Sequence, residues 1–495
     1  MNITFNPKYV LKNDEGCVLL LPKKGLADEK GFDDSVNSVI HPFYAMMLSF
    51  VNGDEYDSVI NNIHKELNIP YDKIKRFIDP LIENKKQVAF KYKETLLGFP
   101  INTILISNTK RFPAYSPADF KYNNVKIQTC RHKTPSTITL MLNNKCSTNC
   151  IYCYADKRKP TDCKIPLERI KELVNEAKKI KVISFDLIGG EVFLYKNWKQ
   201  LLPIFYENGF EPFLSTKCPL SEEDVKFLHE IKIPCLQISL DTMIPMHLKN
   251  ILRVGDSYIR EIKETFKLLE KYNIKVVVHS IVTNRNDSCE DMKSIFNFLQ
   301  EFNNIRYWLP EIAGPSIYTG IDDYDSFKAR RTNIIKLQKI IDECIAISKF
   351  KIINGLNKLN PIDNEIIKQN YEERMESFLD RGLCAGNFSH MYILPTGDVT
   401  ICEELYWHPK FIIGNVLESG LDEIWNSDTA KNLYNLKQKD ILEDSTCSKC
   451  ESFTKCREEN QICYRDTIKA YGEDKWYYPD PNCPKAPKHK NSIEI

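Results

Sequence analysis

Apolar residues recur in two alternating patterns along residues 135–320. Apolar runs are typical of buried strands, whereas residues spaced like Ile170, Leu173 and Val174 predict helices. The strand runs are residues 137–142, 182–188, 213–215, 236–240, 276–282 and 306–312. Six strands that alternate with helices predict an α/β fold in which right-handed crossovers join parallel strands.

Residues 1–95 carry a different pattern. Two apolar runs flank the turn at residues 13–16 and predict a β-hairpin, and three helical patterns follow. A hairpin with three helices predicts a winged-helix-like domain, for which DNA is one possible ligand. Residues 1–90 hold 11 Lys or Arg against 13 Asp or Glu, and this net charge of −2 counts against binding to phosphates. A structural cap without a ligand is the other alternative.

The composition of the chain indicates its redox compartment and its classes of partner. The chain has 495 residues, 17 cysteines and a formal net charge of +1, so no polyanionic partner is indicated. We find no run of 18 apolar residues, and residues 1–8 lack a signal-peptide pattern. So many cysteines without a secretory signal favour a reducing cytoplasm, where clustered thiols bind metal. We therefore expect a cytoplasmic protein without a membrane or nucleic-acid partner.

The most informative chemistry lies just after the first strand. Cys146, Cys150 and Cys153 form a C-x3-C-x2-C motif, which we call the trio. Three thiolates leave a tetrahedral zinc site or a four-thiolate cluster one ligand short, but they can hold three irons of a 4Fe–4S cube and leave the fourth iron free. A small chelating ligand could then bind that iron. An incidental cysteine cluster and a three-ligand zinc loop remain the alternatives.

The trio and its strand strongly resemble the radical S-adenosylmethionine (SAM) superfamily. The resemblance implies a six-stranded partial (β/α)6 barrel over residues 135–320, in which SAM chelates the free iron. Gly189, Gly190 and Glu191 end the second strand and resemble the family's motif for the SAM amino group. Other positions that resemble SAM contacts are Tyr152, Ser215, Thr216, Ser239, Asp241 and Arg253. Ordinary turn residues are the alternative for these positions.

One departure from the family pattern lies after the third strand. Relatives often have an Asn-Gly pair there, whereas this chain has Lys217 and Cys218. The departure puts the SAM contact at this strand in doubt.

A second cysteine constellation lies at residues 384–485 and resembles the SPASM extension, which carries two auxiliary 4Fe–4S clusters. By this resemblance one cluster takes the distal set, Cys447, Cys450, Cys456 and Cys483, and the other takes the proximal set, Cys384, Cys402 and Cys463. The gap between Cys456 and Cys463 is longer than in relatives. A zinc ribbon is the alternative.

Two residues near the proximal set carry further hypotheses. Some relatives have another cysteine where this chain has His390, so the proximal cluster has either an open iron, which we favour, or a weak imidazole ligand. Glu403 follows Cys402 directly, at the position of a catalytic base in sulfatase-maturing relatives. A solvated glutamate on a turn is the alternative reading of Glu403.

The resemblances divide the chain into six segments. These are a winged-helix-like leader-peptide recognition domain (1–95), a linker (96–134), the radical SAM partial barrel (135–320), a helical bridge (321–383), the SPASM domain (384–485) and a tail (486–495). The first segment resembles the domain that binds leader peptides in pathways of ribosomally made, post-translationally modified peptides (RiPPs), where the leader adds as a strand to a sheet edge.

Together the resemblances imply a peptide-modifying enzyme with SAM and three 4Fe–4S clusters as cofactors. Its partners would be a precursor peptide, bound through its leader, and an electron donor such as flavodoxin or ferredoxin. The implied reaction is a thioether or carbon–carbon cross-link in the peptide; epimerisation and sulfatase-type oxidation of Cys or Ser are alternatives. An electron-transfer or regulatory iron–sulfur protein without catalysis is the alternative of another class.

Overall fold

The computed structural model describes residues 1–23, 32–33, 35, 37–107, 115–155, 160–317, 321–356, 370–406 and 408–488, with the side chains of 321–323 excepted. The chain divides into two compact units, Met1–Ser136 and Thr137–Ile495. Among the described residues, no helix is long and apolar enough to cross a membrane.

The first unit combines short antiparallel sheets with three helices. Its strands are β1 (Asn2–Phe5), β2 (Tyr9–Asn13), β3 (Val18–Pro22), β4 (Ser38–Ile40), β5 (Asn52–Glu55), β6 (Val88–Tyr92), β7 (Thr95–Phe99) and β8 (Ile104–Ile106). Its helices are α1 (Pro42–Leu48), α2 (Tyr56–Leu67) and α3 (Tyr71–Ile78). The sheet orders are β5-β1-β8, β2-β3-β4 and β6-β7.

The expected hairpin is formed by β2 and β3, which pair from Tyr9 opposite Pro22 to Asn13 opposite Val18. The amphipathic helices α2 and α3 bury Ile63, Ile74 and Phe77 against this unit's core. Strands β7 and β8 lie in the segment that the sequence predicts as a linker, and β8 pairs with β1. The winged-helix assignment stays a prediction.

Lys12 is a buried cation of the first unit. Its ammonium donates to the carbonyls of Thr134 and Pro135, at 2.9 and 2.8 Å, and to Ser136 Oγ at 3.2 Å. Burial lowers the pKa of Lys12 to about 7. Strand β2 thus binds residues 134–136, which end the unit.

The second unit holds all the cysteines of the trio and of the two sets. Its strands are β9 (Thr137–Met141), β10 (Ser184–Ile188), β11 (Ser215–Thr216), β12 (Leu236–Ser239), β13 (Val276–Val282), β14 (Ile305–Ile312), β15 (Lys351–Ile352), β16 (His390–Ile393), β17 (Asp398–Thr400) and β18 (Ile412–Asn415). Its helices are α4 (Leu167–Lys179), α5 (Trp198–Glu207), α6 (Glu222–Glu230), α7 (Pro245–Leu252), α8 (Tyr258–Lys271), α9 (Cys289–Leu299), α10 (Ile321–Phe327), α11 (Arg331–Ile347), α12 (Tyr371–Leu379), α13 (Leu421–Trp425), α14 (Asp428–Tyr434) and α15 (Tyr464–Tyr471).

The six expected strands, β9 to β14, alternate with helices and are shared between two five-stranded sheets. One sheet has the order β10-β9-β16-β17-β18 and the other has the order β11-β12-β13-β14-β15. Pairing is parallel between β9 and β10 and along β11 to β15. Strand β16 also pairs in parallel with β9, so the C-terminal region extends the first sheet. The barrel of six strands stays a prediction.

Strand alternation separates the two faces of these sheets. In β9, Ile138 and Leu140 are buried in the apolar core together with Ile170 and Leu173 of α4. Thr139 lies on the opposite face, beside Asp186 of β10 and Tyr392 of β16 in the strand register. In the first sheet, α4 therefore covers the face that carries Ile138 and Leu140, and Thr139 and Asp186 lie on the other face.

Candidate functional site

The trio lies on the loop that leaves the C-terminal end of β9. Two backbone hydrogen bonds hold this loop to the end of α7, from Asn149 N to Leu252 O at 2.8 Å and from Ile151 N to Ile251 O at 3.0 Å. Thr148 Oγ1 lies 3.3 Å from the sulfurs of both Cys146 and Cys150. The structure therefore brings the trio together at the end of a strand, where α/β folds place their chemistry.

The Gly-Gly-Glu motif packs directly against the trio loop. A side chain at Gly190 would overlap the backbone of Lys145, so only glycine allows this close approach. Glu191 is buried and accepts from Thr216 Oγ1 at 2.8 Å and from Phe193 N at 3.1 Å. Burial raises the pKa of Glu191, and these hydrogen bonds oppose the rise.

Tyr152 and Asp241 form the other polar pair at the trio. The Tyr152 hydroxyl donates to Asp241 Oδ2 at 2.5 Å, and Ile281 N donates to Asp241 Oδ1 at 2.8 Å. Burial and the adjacent carboxylate raise the pKa of Tyr152 well above its usual value. The tyrosine ring is thereby held beside the cysteines as a neutral donor.

The remaining predicted SAM contacts lie on neighbouring elements. Ser215 Oγ accepts from Gln237 Nε2 at 2.7 Å, and Ser239 is a buried residue at the end of β12. Arg253 ends α7 in the left-handed conformation with φ at 59°, next to the carbonyl of Leu252 that anchors the trio loop. Its side chain is exposed. These assignments stay predictions.

Lys217 is a residue that the sequence did not assign to the site. Its Nζ lies 5.5 Å from the centroid of the Tyr152 ring. Burial lowers the pKa of Lys217, but the charges of Asp241 and of the trio thiols outweigh burial and raise it. Lys217 is two residues past Ser215, which is the spacing of side chains on one face of a strand. That alternation is the signal that could have placed it.

Cys218, next to Lys217, also faces the trio. Its Sγ lies 2.8 Å from Ser147 Oγ in the trio loop, and its backbone N–H donates to Thr216 Oγ1 at 2.8 Å. Burial and the nearby Glu191 carboxylate raise the pKa of the Cys218 thiol to about 12. The thiol is therefore protonated at neutral pH.

The distal set converges on one cavity. All four cysteines, Cys447, Cys450, Cys456 and Cys483, line it together with Phe378, Phe453 and Arg457. Arg457 contributes two buried N–H groups, at Nε and Nη1, for which the described part of the chain offers no hydrogen-bond acceptor. Four thiols and unpaired donors fit a 4Fe–4S cluster, whose irons take thiolates and whose sulfides accept hydrogen bonds.

The proximal set lies where the strands of the C-terminal region meet α15. Cys402 follows β17, and Cys463 precedes α15. Cys384 lies close to Gly386, since a β-carbon added at that glycine would be 3.6 Å from Cys384 Sγ. Burial raises the pKa of the Cys402 thiol to about 12, with Glu403 and Glu404 adding to the rise. Three cysteines can hold three irons of a cube, as in the trio.

The two glutamates after Cys402 have different surroundings. Glu404 accepts from Arg465 Nη1 at 2.9 Å and lies 3.3 Å from Lys469 Nζ, so it belongs to a partly buried ion network. Burial raises the pKa values of Tyr154 and Tyr392, and the charge of Glu403 adds to both rises. Its role as a base stays a prediction.

His390 begins β16, and its Nδ1 lies 2.8 Å from Ser389 Oγ. A fourth-ligand role for this imidazole stays open. Among the described residues, no three His, Cys, Asp or Glu side chains converge tightly enough for a single metal ion. A cubane cluster differs in this respect, because its thiolates bind separate irons.

Comparisons with known proteins agree with this geometry. A model of the radical SAM superfamily matches residues 140–299, and a model of the SPASM iron–sulfur cluster-binding domain matches residues 384–451. The first match contains the trio and the Gly-Gly-Glu motif. The second contains Cys384, Cys402, Cys447 and Cys450.

Two relatives come from Bacillus subtilis (strain 168). The sporulation killing factor maturation protein SkfB is 29% identical over 295 residues, which are 59% of this chain and 64% of SkfB. The antilisterial bacteriocin subtilosin biosynthesis protein AlbA is 21% identical over 320 residues, 64% of this chain and 65% of AlbA. The chain thus spans slightly less than two thirds of the length of either relative.

Solved structures share the fold over nearly the whole chain. Streptococcus suis SuiB bound to S-adenosylmethionine matches with a TM-score of 0.62 at 16% identity, over 97% of this chain and 99% of that chain. SuiB bound to precursor peptide SuiA matches with a TM-score of 0.59 at 17% identity and the same coverage. The fold that this chain shares with SuiB thus contains a segment similar to the radical SAM superfamily at residues 140–299 and a segment similar to the SPASM iron–sulfur cluster-binding domain at residues 384–451.

Proposed function

We propose that this protein is a radical SAM enzyme that modifies a ribosomally made precursor peptide. The observation that carries the proposal is the packing of the trio loop against Gly190, Glu191 and the Tyr152–Asp241 pair. Two relatives named for peptide maturation or biosynthesis, and a similar fold that binds both SAM and a precursor peptide, support it. An iron–sulfur protein without catalysis would not need the Gly-Gly-Glu motif with its buried Glu191.

Each residue of the site has a role in this proposal. The trio would hold three irons of the first cluster, and the free iron would chelate SAM. Glu191, buried and already accepting three N–H or O–H groups, is placed to accept from the SAM ammonium. Tyr152 would lie beside the adenine. Ser215, Ser239 and Asp241 present hydroxyl and carboxylate oxygens for the ribose or the methionyl group, and Arg253 a guanidinium for the methionyl carboxylate.

The bound cofactors would supply one electron that cleaves SAM into methionine and a 5′-deoxyadenosyl radical, which takes a hydrogen from the peptide. The chain's own contribution is to position the peptide carbon and exclude water. We propose a thioether or carbon–carbon cross-link as the product. Epimerisation and oxidation of Cys or Ser are the other reactions to be tested on the same peptide.

The C-terminal region would hold the two auxiliary clusters, for three in total. The distal set supplies four thiolates, whereas the proximal set supplies three and leaves one iron open unless His390 binds it. An open iron would suit thioether formation, because metal binding deprotonates a thiol and holds its sulfur in place.

The first unit would recognise the leader of the precursor peptide. In its sheet of order β2-β3-β4, the two outer strands each have one edge without a strand partner among the described residues. An extended peptide can add to such an edge through backbone hydrogen bonds. A flavodoxin or ferredoxin would supply the electron.

Removal of the trio tests the proposal. With Cys146, Cys150 and Cys153 replaced by Ala, we expect about four fewer irons per chain and no 5′-deoxyadenosine from SAM, because no free iron remains to chelate it. Cys289→Ala is the matched control, since this half-buried cysteine belongs to none of the three sets. Continued formation of 5′-deoxyadenosine by the triple variant would contradict the proposal.

A further inference from the structure

Arg457 is a cation enclosed at the distal set, with only 3% of its surface exposed. Its Nη2 donates to Tyr477 O at 3.0 Å and to Tyr478 O, and lies 3.5 Å from Cys447 Sγ. Among the residues that the structure describes, none accepts from its Nε or Nη1. A buried N–H without an acceptor costs free energy, and Arg457 lines the cavity of the distal set, so a group held there could accept these hydrogens.

Two further cations contact distal sulfurs. Arg381 Nη2 lies 3.4 Å from Cys456 Sγ and also donates to Cys456 O at 2.7 Å. Lys485 Nζ lies 3.9 Å from Cys450 Sγ. Three of the four distal cysteines are therefore paired with a cation, while Asp480 is the one carboxylate among the residues described as lining the cavity.

The unusual spacing of the cysteines explains this arrangement. A π-helix, Thr454–Glu459, carries both Cys456 and Arg457. After it Gln461 takes the left-handed conformation with φ at 59°, and its carbonyl accepts from Arg381. The residues that lengthen the gap before Cys463 thus bring two guanidinium groups to the distal sulfurs.

The surroundings of the proximal set are acidic instead. Glu403 and Glu404 directly follow Cys402, and Asp466 is three residues past Cys463. The cation there, Arg465, is engaged by carboxylates: it donates to Glu404 at 2.9 Å and to Asp466 at 3.0 Å. Lys469 likewise lies 3.3 Å from Glu404. The three carboxylates therefore outnumber the two cations at the proximal site.

From this contrast we propose that Arg381, Arg457 and Lys485 make the distal site the more easily reduced of the two auxiliary sites. The inference rests on the proposed function, because it requires both sets to hold clusters. Positive charge and N–H···S hydrogen bonds stabilise the reduced, more negative form of a cluster, whereas nearby carboxylates destabilise it. One electron on the proximal cluster would then pass to the oxidised distal cluster. This transfer oxidises the proximal cluster and reduces the distal one.

Reduction potentials of single clusters in the full chain test the inference. One variant, the distal-only chain, keeps the distal set and has the trio and the proximal cysteines replaced by Ala. A second variant, the proximal-only chain, keeps only the proximal set. Electron paramagnetic resonance follows the reduction of each variant, and we expect the distal potential to exceed the proximal potential by at least 59 mV, a tenfold ratio in the one-electron equilibrium constant. A proximal potential equal to or above the distal one would overturn the inference.

Substitutions in the distal-only chain assign the effect to the cations. Arg457→Gln should lower the potential more than Arg457→Lys, which retains the charge. Lys485→Met, at an exposed residue that leaves the core intact, should lower it as well. Lys267→Met is the matched control, because this exposed lysine pairs with Glu264 at 2.7 Å within α8, which carries no residue of the distal set. A potential that moves equally in Lys485→Met and Lys267→Met would overturn the assignment.

Iron content separates this inference from the proposed function. About four irons in the distal-only chain are expected if the four cysteines hold a cluster. A distal-only chain that binds no iron would contradict the proposed function, and with it the inference. A chain with iron but unaltered potentials in Arg457→Gln and Lys485→Met would contradict the inference alone.

Discussion

At the scale of single residues, Gly190 determines how closely the trio loop approaches β10. A β-carbon there would overlap the carbonyl of Lys145, so Gly190→Ala must displace the loop. We expect the variant to lose SAM cleavage and SAM affinity by at least tenfold while it remains folded by circular dichroism. Gly255→Ala is the control, because no atom lies within 4 Å of the added carbon. Normal SAM cleavage by Gly190→Ala would show that the loop can move freely.

Glu403 and Glu404 offer a second test at the residue scale. Glu403→Gln should lower the yield of modified peptide and spare SAM cleavage if its carboxylate accepts a proton. Glu404→Gln should instead lower the free energy of unfolding by about 2 kcal/mol, because Lys469 and Arg465 lose a partly buried counter-charge. The yield of modified peptide measures the effect of Glu403→Gln, and unfolding by denaturant measures the effect of Glu404→Gln. An unchanged yield in Glu403→Gln would reject the role as a base.

At the scale of elements, Lys12 links β2 to residues 134–136 and should make stability depend on pH. Its pKa is about 7 when folded, against about 10.4 when exposed in the unfolded chain. Between these values the unfolded chain binds the extra proton, so this group makes the free energy of unfolding rise with pH. Urea unfolding at pH 7 and pH 9 should show a larger rise in the unaltered protein than in Lys12→Met. Equal rises would mean that the carbonyls keep Lys12 charged.

The first unit as a whole gives a further prediction. A chain shortened to residues 137–495 lacks the proposed leader-binding sheet but keeps the trio, Glu191 and Asp241. We expect SAM cleavage without peptide to persist and affinity for the precursor peptide to fall at least tenfold, since the leader would bind residues of the first unit, whereas the trio belongs to the second. Fluorescence anisotropy with a labelled peptide measures this. Equal affinity of both chains would make the unit a structural cap.

At the scale of the whole molecule, the sequence predicted some features and missed others for identifiable reasons. All six strands from β9 to β14 were found, because apolar runs and helical spacing are local signals. The pairing of β16 with β9 was not predicted, since it joins residues far apart in sequence. Arg457 was missed because what a buried cation faces depends on tertiary packing, whereas the alternation that begins at Ser215 would have placed Lys217.

The parallel pairing of β16 with β9 has a consequence for how the protein is made. Roughly 250 residues separate these strands, so at 5–20 residues per second the edge of β9 waits about 10–50 s on the ribosome for its neighbour. An open edge beside three exposed thiols invites aggregation and oxidation. Prompt loading of the first cluster would shorten the exposure of these thiols, so expression in iron-rich medium with limited oxygen should improve the yield of intact protein.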